Sequence, residues 1–327
     1  MRQVDVKGSC LFAIFIILFV YNTSQIDFCL GWLTTTPIVL LNLVTMLTFL
    51  YVESQIESDE ESLVPVRQAV RPEVWPLLLL SFLTIGAQSG ILLSITKYVQ
   101  VVGKHQPKLF DFDMRTILLS SLWVGEGLSA ILAGTFSMKT PKSRWWGFLL
   151  AAVVFSACLG YMLLKWDGSQ GWPAKILPVA TAGCATGIFN YLFINLLKES
   201  SEEAKGILYG VLHLLGSLGA ILTLCVLNQI HNNRKILAWY MKSRLPPKYD
   251  IEKLVKDCSE NLDTCVDSVN KGDQDIVRQC FTDAIMLGFG VLLVVYIAIL
   301  ALVFTLPSKE RATSLSLQDA RSGREEN

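Results

Sequence analysis

The stretch Gly206 to Ile230, GILYGVLHLLGSLGAILTLCVLNQI, carries no acidic or basic side chain apart from His213. As a helix it would be about 37 Å long, enough to cross the hydrocarbon core of a bilayer, and it reads as a transmembrane span. Gly206, Gly210, His213, Ser217 and Ala220 recur at steps of four and three, with Gly216 and Gly219 on the flank. Small residues let helices approach closely in lipid, where no hydrophobic force drives them together, so this face is expected to pack against neighbours.

The rest of the chain supplies those neighbours. With 52% hydrophobic residues and a mean hydropathy of +0.46, it is too apolar for an ordinary soluble domain and is expected to be an all-α, polytopic membrane protein. Lys and Arg balance Asp and Glu, 28 against 28. Nothing global therefore points to nucleic acid, and the basic residues are read as loop charges that set orientation.

The spacing of apolar runs predicts about eight spans. Val6 to Tyr21 and Gly31 to Val52 form a hairpin, residues 1–53. A cleaved signal fits the first run less well, because Asn22-Thr23-Ser24-Gln25 lead straight into the second. Asn22-Thr23-Ser24 is also a glycosylation sequon placed in that turn. Residues 54–73 are polar, broken by Pro65 and Pro72, and read as a loop. Trp75–Thr96, Thr116–Met138, Trp145–Lys165, Pro173–Leu197, Gly206–Ile230 and Asp283–Leu306 complete a six-helix unit over 74–306, and the polar tail 307–327 is expected to be disordered. Trp32, Trp75, Trp145, Trp146, Trp166 and Trp172 sit near span ends, as interfacial anchors do.

An even number of spans puts both termini on one side, and the short loops on that side hold the excess of Lys and Arg, which makes them cytosolic. The loop 231–282 is then non-cytosolic. Inside it Ile251, Leu254, Val255, Cys258, Leu262, Cys265, Val266 and Val269 follow a helical spacing, an amphipathic helix lying on a surface. In a continuous helix Cys258 and Cys265 would be about 10 Å apart along the axis, too far for a disulfide.

No Walker loop, nucleophile elbow, HExxH or dinucleotide fingerprint occurs, and the Cys spacing does not suit zinc. No enzyme chemistry, cofactor or metal is expected. Glu126, in Trp123-Val124-Gly125-Glu126-Gly127, is the sharpest polar candidate, because a mid-span carboxylate is tolerated where it faces a cavity or a partner. It reads either as a proton or cation site or as a hydrogen-bonded packing residue. Gln88 and Asn190 are further intramembrane candidates, as substrate contacts or as interhelical glue, and His213 is another, as a proton-pathway group or as an interhelical hydrogen-bonder.

The order of several short pieces resembles the C-terminal part of the fungal fourteen-span drug:proton antiporters of the major facilitator superfamily. The pieces are Val4-Asp5-Val6-Lys7-Gly8, Phe49-Leu50-Tyr51-Val52-Glu53, Leu63-Val64-Pro65 and Tyr98-Val99-Gln100-Val101-Val102-Gly103. The loop Gly134 to Arg144, with Lys139, Lys142 and Arg144, is similar to the superfamily's short basic cytosolic loop, although Pro141 stands where Gly is usual and the motif's acid is missing. Gly183, Gly187 and Asn190, and His213, Gly216 and Gly219, resemble the family's glycine-rich penultimate helices. The long loop 231–282 resembles members related to vacuolar basic amino-acid transporters.

This resemblance implies two linker helices followed by a six-helix facilitator bundle, and proton-coupled antiport of small molecules, drugs or basic amino acids. The vacuolar membrane is favoured, with the plasma membrane as the alternative. The expected partners are the lipid bilayer, a small-molecule substrate and protons, with no nucleic acid. The family's N-terminal bundle has no counterpart, which an incomplete gene model, a degenerate remnant or pairing with a second half-transporter chain would explain, in that order. The competing expectation is a membrane remnant or regulatory partner subunit that transports nothing.

Overall fold

The computed structural model describes residues 6–25, 32–55, 74–102, 113–135, 141–166, 171–198, 202–260, 265–266, 268–270 and 272–305. The protein is an all-α polytopic membrane protein, with no strand among those residues. Its helices are α1 (Val6–Gln25), α2 (Trp32–Ser54), α3 (Trp75–Val102), α4 (Met114–Thr135), α5 (Pro141–Lys165), α6 (Trp172–Lys198), α7 (Glu202–His231), α8 (Arg234–Arg244), α9 (Ile251–Glu260) and α10 (Gln274–Thr305). Six of them, α3 to α7 and α10, have spans long and apolar enough to cross a membrane. The other two expected spans are helices α1 and α2, whose apolar stretches Cys10–Tyr21 and Leu40–Ser54 are shorter. They pair as the expected hairpin, with Phe12 and Phe49 rings 5.3 Å apart and Asn42 Nδ2 donating to the Leu18 carbonyl at 3.3 Å. The sequon belongs to the last turn of α1 and not to the turn that follows.

The six spans pack in a pattern that survives exchanging the first three with the last three. α3 lies along α7 as α6 lies along α4; α5 rests on α6 as α10 rests on α3; and α5 meets α10. Each helix is three spans from its counterpart, an odd number, so the two triplets run through the membrane in opposite directions, which is an inverted repeat. The sequence carries the same relation. Thr84-Ile85-Gly86-Ala87-Gln88-Ser89-Gly90-Ile91 on α3 matches Thr181-Ala182-Gly183-Cys184-Ala185-Thr186-Gly187-Ile188 on α6 at both glycines, the first Thr, the hydroxyl position and the final Ile.

Those glycines are where backbones touch. A methyl group at Gly86 would lie 2.8 Å from the Gly219 carbonyl oxygen, and one at Gly183 would lie 2.9 Å from the Leu122 carbonyl carbon. Where α5 meets α10, Phe155 stacks on Tyr296 at 3.7 Å, and Trp145 Nε1 donates to the Val303 carbonyl at 3.0 Å.

Three expectations about segment character change. Trp166 is no interfacial anchor: it is 1% exposed and packs against Tyr98 and Phe289. The helix that carries the last span starts earlier than Asp283, because α10 runs from Gln274, so the described residues after α7 are largely helical. That segment is not one surface-lying helix. α9 ends at Glu260, and the helical residues Cys265 and Val266 pack back against it, so that Leu254, Val255, Cys258, Cys265, Val266 and Val269 share a core with Leu237 and Met241 of α8 and Val277 and Cys280 of α10. The reversal brings Cys258 and Cys265 to a Cα separation of 4.8 Å and joins them in a disulfide, overturning the expectation that they stand too far apart. Residues 56–73 and 306–327, which hold most of the expected loop and the tail, lie outside the described residues.

Candidate functional site

Glu126 projects from the middle of α4 toward α3 and α6. Its backbone is faced by two glycines of α6 at close range: methyl groups at Gly183 and Gly187 would lie 3.2 Å from Glu126 N and 2.9 Å from its carbonyl carbon. The carboxylate is thus carried at a crossing of α4 and α6 where their backbones touch. Gln88 Nε2 of α3 donates to Glu126 Oε2 at 3.0 Å, and Asn190 Nδ2 of α6 donates to Oε1 at 2.7 Å. Ser129 Oγ donates to the Glu126 carbonyl at 3.0 Å. All three side chains of the triad are half-buried.

Three residues singled out separately in the sequence therefore form one constellation across three helices. Each carboxylate oxygen receives one amide N–H, an arrangement that suits the ionised acid, since an ionised carboxylate only accepts. A charge taken out of water at mid-span needs such donors, and hydrogen bonds to an ionised group are the stronger kind.

No protein-family model matches the chain, and no curated protein matches it significantly. The reading of the site rests on its own geometry.

His213 does not join the triad. It is exposed on α7, with its ring 4.3 Å from that of Tyr209. The face on which it lies is not the packing face expected. Gly210 has nothing within 4 Å of a methyl position, whereas the flanking Gly216 and Gly219 press against Ile85 and Phe82 of α3. The surroundings of Gly206 lie outside the described residues. Of the basic loop, Lys139 also lies outside them, while Lys142 and Arg144 belong to the first turn of α5 and not to a connecting loop. Among the described residues no group of His, Cys, Asp and Glu could hold a metal ion.

Two features escaped the linear reading. Ser129 looks like any small membrane residue, and only its place one turn after Glu126 ties it to the site. Gly86, Gly90 and Gly125 pack as closely as the glycines that were noticed, and the repeated Thr-x-Gly-x-x-(Ser/Thr)-Gly-Ile pattern was the signal available for the first two.

A second charged cluster lies outside the spans. Lys248 Nζ sits 2.9 Å from Asp273 Oδ2, and Tyr249 Oη donates to the same oxygen at 2.8 Å. The Lys248 hydrogen bond, followed by that of Tyr249, holds the Asp273 carboxyl below its ordinary 3.8. The same bond to Asp273 raises Lys248 above its ordinary 10.5. The cluster ties the start of α9 to the start of α10 and is structural.

Proposed function

We propose that the protein is a proton-coupled antiporter of small molecules, drugs or basic amino acids, built on the facilitator plan that its sequence resembles, and that Glu126 carries the coupled proton. The observation that supports this is the mid-span carboxylate gripped by amides of two other helices. When Glu126 is ionised, Gln88 and Asn190 both donate to it. On protonation one carboxyl oxygen becomes a donor, and either amide can turn about its terminal torsion to offer its carbonyl oxygen. The proton therefore changes which groups α3, α4 and α6 present to one another, which couples its binding to helix position.

The inverted three-helix repeat favours the facilitator plan, because such repeats are how many secondary transporters are built around a midplane site. On this reading the substrate passes between this bundle and a second one, of the same or another chain. The vacuolar membrane is the preferred location, with the plasma membrane as the alternative, on the resemblance of the long loop.

The test uses the full chain in proteoliposomes loaded with a pH-sensitive dye, challenged with a panel of lipophilic cations and of arginine, lysine and histidine. Substrate-driven proton movement is expected with the wild-type chain and absent with Glu126→Gln. Movement that persists in Glu126→Gln removes the residue from the coupling. No movement with any compound in the wild-type chain would remove the transport reading and leave a partner subunit in its place.

A further inference from the structure

Two contacts fix how the short helix α8 lies against α10. It starts directly after α7, where Asn233 caps it by accepting from the N–H groups of Lys235 and Ile236 at 3.0 and 3.2 Å. Just before that start, His231 packs on α10 at Gly288, where a methyl group would be 3.2 Å from its Cδ2. At its other end Arg244 Nη1 pairs with Asp283 Oδ2 of the same α10 at 2.5 Å. Gly288 and Asp283 are separated by about 7.5 Å of helix rise, whereas α8 is about 16 Å long. It therefore runs across the end of the bundle more than along it. Its level is that of Asp283, the last charged residue of α10 before the uncharged stretch Ala284 to Phe304. As a helix that stretch is about 31 Å long, the thickness of the hydrocarbon core, so the boundary between hydrocarbon and water is argued to fall at the level of Asp283.

The inner face of α8, Leu237 and Met241, is buried in the core shared with α9. The opposite face is Lys235, Trp239, Lys242 and Ser243, all exposed, with Trp239 66% exposed. An indole prefers the headgroup level, and lysines on either side of it by one turn place ammonium groups where phosphates lie.

We propose that this outer face of α8 is a docking site for anionic phospholipid headgroups, with Lys235 and Lys242 taking the acidic headgroup and its phosphate and Trp239 seated against the glycerol region. A second copy of the chain fits the face less well, because a two-fold contact there would set lysines against lysines.

The test is electron spin resonance of the full chain in nanodiscs carrying spin-labelled phosphatidylglycerol or phosphatidylcholine, read as the selectivity of the motionally restricted lipid. The wild-type chain is expected to select phosphatidylglycerol, and K235Q/K242Q to lose that selectivity by up to about fivefold per lysine. W239A is expected to release restricted lipid of both kinds. A K253Q/K256Q variant, with the same charge change on α9, is expected to keep the wild-type selectivity. The proposal is overturned if the wild-type chain shows no selectivity, if K235Q/K242Q retains it, or if K253Q/K256Q loses as much. It is also overturned if W239A converts a dimer to a monomer while leaving the lipid signal unchanged, which would make the face a protein interface.

Discussion

Gly183 is a position where adding one carbon should do harm at the site itself. A methyl group there would abut the Leu122 carbonyl, 2.9 Å from its carbon, and Glu126 N at 3.2 Å. These are main-chain atoms inside a helix, so neither can rotate away. Restoring ordinary contact needs α4 and α6 to part by roughly 0.5–1 Å. Overpacking of that kind costs about 1–3 kcal/mol. The same displacement draws Glu126 from Asn190 and stretches their 2.7 Å hydrogen bond toward the limit of about 3.2 Å at which it weakens. Weakening that bond costs about 1 kcal/mol more, which offsets the gain of up to about 1 kcal/mol that alanine brings through helix propensity, so the net loss for Gly183→Ala is about 1–3 kcal/mol. The control is Gly127→Ala, one residue from Glu126, where a methyl group meets nothing within 4 Å. Thermal unfolding of the detergent-solubilised chain, followed by fluorescence-detected size exclusion, should place Gly183→Ala well below wild type and Gly127→Ala at or above it. Equal midpoints for the two variants would refute the claim that backbone contact at Gly183 sets the crossing.

The remaining expectations follow from particular contacts. Asn190→Leu strips Glu126 Oε1 of its donor and should lower stability by about 1.5–3 kcal/mol, whereas Glu126→Leu combined with Asn190→Leu should cost less than the single change; additive losses in a double-mutant cycle would deny the bond its energetic role. Replacing Cys258 and Cys265 by Ser opens a loop whose closing cysteines are seven residues apart and should loosen residues 234–273 by about 2–3 kcal/mol, read by hydrogen exchange; unchanged protection speaks against the disulfide. Asp273, held below 3.8 by Lys248, contributes stability above that value that is lost as pH falls through its folded pKa, and Lys248, raised above 10.5, contributes stability below that value that is lost as pH rises through its own. Exchange around Tyr249 should therefore accelerate in acid below the carboxylate range, and Lys248→Gln should flatten that dependence; an unaltered pH profile in the variant contradicts the pairing. His213→Ala should leave both stability and proton movement within error of wild type, and a loss of proton movement would bring His213 back into the pathway.

The spans were legible because length and apolarity are linear properties. Periodicity also placed Glu126, Gln88 and Asn190 in mid-span, and the cost of burying polar groups in lipid was reason enough to single them out. Their convergence was not legible, because it depends on α3, α4 and α6 crossing at backbone contact. The face of Gly206, Gly210 and His213 was misjudged for a related reason. Both faces of α7 are rich in small residues, and only the presence of Phe82 and Ile85 opposite Gly219 and Gly216 decides which one packs. The loop after α7 failed differently. Apolar spacing continued through Cys258 to Val269, but the described residues of that stretch bury one another against α8 and α10, which dispenses with a surface to lie on.

The inverted repeat explains why the carboxylate sits where it does. Gly86 and Gly90 of α3 face Thr223 of α7, with methyl positions 2.7 Å from its Oγ1 and 2.9 Å from its Cγ2. Gly183 and Gly187, their equivalents on α6, face Glu126 of α4. Thr223 is thus the counterpart of Glu126 in the other triplet. A threonine at such a crossing can satisfy its hydroxyl within its own helix and asks nothing of its neighbours. A carboxylate has two oxygens to satisfy and must recruit them, as Glu126 does from Gln88 and Asn190. Packing alone is served equally well at both crossings by a small polar residue. Departing from that at only one of two equivalent places is a local exception that packing does not require, and the proton-coupling role proposed for Glu126 would account for it.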